Sequence, residues 1–139
     1  MSSSPDWSTA MAPSLDDLER LAITTWNRLP IDVRQMCGDL VIRIDEFATD
    51  EVLDSLGIEN PFDLMGLYQG VSLDRQSTGD LPREPDMVFL YRRAIIDYWA
   101  DAGDETLAAL VTHVLVHEIG HHFGFSDVDM ESIEASAAP

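Results

Sequence analysis

The chain has 139 residues, 45% of them hydrophobic, and a mean hydropathy of −0.05, which suit a folded domain with a real core and exclude a disordered or fibrous chain. Its 26 acidic residues against 8 basic ones leave a formal net charge of −18, a surface that repels nucleic-acid phosphates and anionic lipid headgroups, so neither nucleic acid nor membrane is an expected partner. The single cysteine, Cys37, excludes an internal disulfide framework, and an N-terminus with neither a basic nor an apolar segment makes the cytoplasm the expected location.

Residues 1–13 are rich in Ser, Pro and Ala and lack periodicity, which predicts a flexible arm; residues 14–139 are read as one domain. Ser14 has the character of a helix cap, and Leu15, Leu18, Leu21, Ala22, Thr25 and Trp26 recur at helical spacing before Pro30. A second helical piece is expected up to Gly38. Residues 40–47 have the branched, partly alternating pattern of a strand, and a short helix over 50–56 ends at Gly57. Residues 64–69 read as a second strand closed by Gly70, and residues 71–85 as a loop or open hairpin. Residues 87–92 form the third predicted strand and 95–101 a short helix. Asp104 is placed as the cap of the next helix, which over 107–123 is apolar or histidine at almost every position and is therefore expected to be buried. Gly124 supplies its left-handed stop. The order predicts an α+β fold, a small mixed sheet packed on a buried helix.

That helix carries His117-Glu118-Ile119-Gly120-His121. Four residues of separation bring two imidazoles onto one helical face, ~6 Å apart or less, so that both nitrogens can meet one Zn²⁺. Glu118 then stands where a general base in metal-assisted hydrolysis would. A third ligand is required, and the spacing continues through Gly124 to Asp127, three residues beyond a helix-breaking turn; Asp129, Glu131 and Glu134 are competing carboxylates. The bland alternative, a chance His-Glu-His cluster hydrogen-bonded in a core, is disfavoured by the presence of only four histidines in 139 residues. For Asp127 the alternative is a first-turn acid, because Ser126 and Asp129 have the spacing of a capping box. His113 shares the face of His117 and His121, yet three histidines along one straight helix do not converge on one tetrahedral ion, so a supporting or pocket-lining role, or plain burial, is expected for it. Gly120 implies close packing of a strand or loop against the helix, and Cys37 reads as a quiet buried thiol.

The run from His117 to Asp127 resembles the HExxHxxGxxD form of the zincin motif, and Gly66-Leu67-Tyr68-Gln69-Gly70 with Pro85-Asp86-x-Val88-x-x-Tyr91-Arg92 is similar to a family of small bacterial zincin-like metallopeptidases. The resemblance implies a minimal zincin fold, bound zinc, and a peptide or small protein as substrate. It implies His117, His121 and Asp127 as the metal site and Glu118 as the catalytic base. By analogy an edge strand pairs with extended substrate, and residues 87–92 are the candidate; Tyr68 or Tyr91 is the candidate for polarising the scissile carbonyl. Only twelve residues follow Asp127, which leaves little chain for a specificity pocket, and Met130 stands too close to serve as a methionine turn. Two other functions are open at this stage: a non-catalytic zinc-stabilised binding domain, and a zinc amidohydrolase acting on a non-peptide amide.

Overall fold

The computed structural model describes residues 6–70 and 85–138. Helix α1 (Leu15–Arg28) starts with a capping box in which the Ser14 hydroxyl accepts from the Asp17 N–H and the Asp17 carboxylate accepts from the Ser14 N–H. Helix α2 (Ile31–Cys37) follows Pro30, then come β1 (Val41–Asp45) and α3 (Asp50–Leu56), the last held between the Thr49 cap and Gly57. A single 3₁₀ turn at Pro61–Asp63 leads into β2 (Gly66–Gln69). After residues 71–84, which lie outside the described residues together with most of the predicted 71–85 loop, come β3 (Met87–Tyr91), α4 (Arg92–Ala102), α5 (Leu107–Phe123) and α6 (Asp127–Ala137). The fold is α+β, as the element order implied.

The strands are shorter than predicted, with β1 at 41–45 for 40–47 and β2 at 66–69 for 64–69, and two helix starts move for local reasons. No breaker separates β3 from α4, so the helix begins directly at Arg92 instead of Ile95. Thr106, not Asp104, caps α5: its hydroxyl is one residue before the first turn and accepts the Ala109 N–H at 3.1 Å.

Among the described residues the sheet has three strands in the order β1-β3-β2, β1 parallel and β2 antiparallel to β3. Side chains alternate across β3. Val88 and Leu90 face the layer of α1 and α5, packing among Leu18, Ala22, Leu115 and Ile119. Phe89 and Tyr91 face the other side, against Ala48, Leu53 and Ala94. A strand covered on both faces must be apolar at every position, and Met87-Val88-Phe89-Leu90-Tyr91 is. Within the helical layer the Thr25 and Thr112 hydroxyls share a buried 2.9 Å hydrogen bond that ties α1 to α5. Among the described residues no helix is long and apolar enough to cross a membrane.

Candidate metal centre

One side of α5 is core: Leu110, Val111, Val114, Leu115, Val116 and Ile119 are each 4% exposed or less. The other side is open. His113, His121 and His122 are exposed and His117 is half-buried, so the helix is central without being enclosed all round as the sequence suggested. The difference lies in the histidines themselves, which at spacings of four residues draw a polar stripe along a helix otherwise read as uniformly apolar. The ring centroids of His113 and His117 are 3.9 Å apart, and those of His117 and His121 5.6 Å. His122, on a different face, stacks its ring on Tyr68 with centroids 4.0 Å apart.

Gly124 ends α5 at φ 75°, and the Ser126–Asp129 capping box starts α6 two residues later. The chain therefore doubles back. Phe125 N–H donates to the Gly120 carbonyl, Met130 packs on Gly120, and Ala138 reaches the level of Ala109 and Thr112. The close neighbour at Gly120 is thus the Met130 side chain of a helix, where a strand or loop was anticipated.

This hairpin sets carboxylates opposite the histidine stripe. Asp127 is the first residue of α6, exposed, and among the charges that act on His117. Glu134 is seven residues further on, two helical turns along the same face. Its Oε1 lies 2.7 Å from His113 Nδ1 and 3.6 Å from His117 Nε2. Apart from these histidine contacts that oxygen is shielded from solvent and has no hydrogen-bond partner. Ligand atoms of His113, His117 and Glu134 all fall within 4.8 Å of one another. The structure thus joins to His117 two residues that sequence reasoning set lower, His113 as pocket lining and Glu134 as a competitor of Asp127. Helical arithmetic held the signal: in an antiparallel hairpin, an acid two turns after Asp127 must face the α5 turn that precedes His117.

Burial holds His117 below the usual imidazole value; His113 and His121 push the same way, while Glu134 and Asp127 oppose. A neutral imidazole keeps its lone pair for a metal at physiological pH. With two or three imidazoles facing carboxylates, one of whose oxygens is buried without a hydrogen-bond partner, the donor set fits a borderline divalent ion such as zinc.

Glu118 turns to the sheet side of the stripe. Its half-buried carboxylate accepts the backbone N–H of Tyr68 in β2, and burial raises its pKa above the usual glutamate value, with His121 and that hydrogen bond opposing. Because the Met65 carbonyl accepts from Tyr91 N–H, the antiparallel alternation directs the N–H and C=O groups of Gly66 and Tyr68 away from β3. The outer edge of β2 therefore faces the part of α5 that carries Glu118. This corrects the choice of residues 87–92 as the edge strand: β3 is central, and β2 is the antiparallel edge among the described residues.

β2 approaches α5 closely at Gly66. A Cβ there would lie 2.9 Å from Val114 Cγ1, 3.1 Å from Glu118 Cγ and 3.2 Å from the Phe89 carbonyl oxygen. Gly66→Ala is expected to destabilise the protein by about 1–3 kcal/mol through overpacking, measured by urea unfolding. An unchanged midpoint would show that β2 and α5 can separate freely.

The two candidate tyrosines are committed elsewhere. Tyr68 donates its hydroxyl to Asp86 Oδ2 at 2.6 Å in the interior, and Tyr91 is 2% exposed, its hydroxyl pushed up to about 12 chiefly by burial. Cys37 is buried beside Tyr68, and burial pushes its thiol up to about 11, consistent with an inert residue.

A family model described as zincin-like metallopeptidase matches residues 37–137, which spans β1, the sheet, α5 and α6. A comparison with curated proteins finds no match.

Proposed function

The chain belongs to the zincin-like metallopeptidase family, and from that premise we propose that it hydrolyses peptide bonds in an extended peptide or small protein, with zinc held by His117, His121 and Asp127. The observation that carries this reading is the placement of Glu118. It is desolvated, anchored by the Tyr68 N–H, and next to His121 at the end of the stripe that the outer edge of β2 overlooks.

When bound, zinc supplies Lewis acidity, bringing the acidity of water near neutral pH and stabilising developing negative charge on a carbonyl oxygen. Glu118 takes the proton of the attacking water and passes it to the leaving amine. The outer edge of β2 adjoins Glu118, and those of its main-chain groups that Glu118 does not take are placed to contact an extended substrate independently of side-chain identity. With the Tyr68 hydroxyl tied to Asp86 and Tyr91 buried, no tyrosine is assigned to the oxyanion.

Elemental analysis and a peptide-library digest test this together. The purified protein is expected to hold about one zinc per chain and to cleave a subset of peptides in a chelator-sensitive manner. Absence of zinc after supplementation would overturn the reading. Bound zinc with cleavage of small amides only would move it to a non-peptide amidohydrolase.

A further inference from the structure

The zincin arrangement uses one turn of α5, but the structure shows donors over two. The pair His113–His117 repeats the spacing of His117–His121 one turn toward the helix N-terminus, and its ring centroids are the closer, 3.9 Å against 5.6 Å. Opposite it, α6 presents Glu134, whose Oε1 is buried without a hydrogen-bond partner although His113 Nδ1 is 2.7 Å away and His117 Nε2 3.6 Å away. A buried carboxylate oxygen that faces two imidazoles can take a cation in place of the proton of an ion pair, and the three ligand atoms already lie within 4.8 Å of one another. Two imidazoles and one carboxylate suit Zn²⁺, and also Co²⁺ and Ni²⁺.

We propose that the α5–α6 seam holds a second divalent-metal position, made by His113, His117 and Glu134, that competes with the productive position for the same ion. The inference rests on the functional reading only in that both positions use His117. Because one imidazole serves both, they are filled alternately. Glu118 takes its charge neighbour from the His121 end of the stripe, so an ion held by His113 and Glu134 lies on the side of His117 away from the base. It is a parking position: metal is retained, and hydrolysis is withheld until the ion moves to the His121 end.

Co²⁺ is the probe, its binding followed by visible absorption and equilibrium dialysis on the full chain. Wild type is expected to take up about one ion, His121→Ala to retain it, and His121→Ala combined with Glu134→Gln to bind ~100-fold more weakly or worse, since a direct ligand is lost. Glu134→Gln alone, a same-size change on a partly exposed side chain, is expected to alter the wild-type absorption band by removing one of two environments. Loss of all Co²⁺ from a folded His121→Ala protein would overturn the second position and leave the zincin reading intact. So would equal affinity with and without Glu134→Gln, or an unchanged band in Glu134→Gln. A wild type that binds no Co²⁺ would remove both.

Discussion

Glu118→Gln is expected to lower peptide turnover by about 10²–10⁴-fold while leaving bound zinc in place. The amide keeps the size and one acceptor oxygen of the carboxylate, so the hydrogen bond from the Tyr68 N–H survives and β2 stays against α5. What is lost is the ability to take and return a proton. Metal content should not change, because the Glu118 carboxylate faces the sheet edge and the proposed donors are His117, His121 and Asp127. The stability of the metal-free protein adds a second check, because there burial raises the pKa of Glu118. A carboxyl with a raised folded-state pKa contributes stability below its unfolded value and loses it as pH rises through the folded one. Metal-free Glu118→Gln should therefore be more stable than metal-free wild type at neutral pH, with the advantage vanishing on acidification. Full turnover in the variant would remove Glu118 from the mechanism. Loss of zinc would mean that its carboxylate is a ligand.

His117→Ala is expected to abolish metal binding altogether, a larger effect than substitution at His113 or His121. The reason is positional. His117 is the middle of the stripe, paired with His121 on one side and with His113 and Glu134 on the other. Removing it leaves no two histidines four residues apart, because His113 and His121 are separated by two full turns, ~12 Å along the helix, and cannot reach one ion. Thermal unfolding with and without chelator reads this out. A metal present at ~1,000 times its dissociation constant adds ~4 kcal/mol to the folded state, so chelation should lower the wild-type midpoint by roughly 10–20 °C. The His117→Ala midpoint should not respond to chelator. A chelator-sensitive midpoint in that variant would place the metal elsewhere in the chain.

The amino-acid pattern alone was enough for the α+β class and for most elements up to α5. Ser14, Gly57 and Gly124 marked helix ends because caps and left-handed glycines act over three or four residues of local backbone, which the sequence displays directly. That His117 and His121 share one face of α5 was legible for the same reason: helical periodicity determines which side chains are neighbours. Strand order was less accessible. The choice of residues 87–92 as the substrate-pairing edge came from analogy, whereas the uninterrupted apolar run of β3 carries the signature of a strand covered on both faces. Arg43 and Asp45 in β1, and the brevity of β2, belong to edges.

What only the tertiary structure decided was everything that depends on one element meeting another. Tyr68 is committed to Asp86 and its N–H to Glu118 because β2 packs over α5, and that approach required glycine at 66. Glu134 faces His113 because α6 folds back antiparallel along α5 after Gly124, a direction that no spacing within either helix specifies. Local sequence sets which residues share a face. Burial of the two apolar faces against one core sets which faces meet, and so places a carboxylate twenty-one residues away in sequence within 2.7 Å of an imidazole.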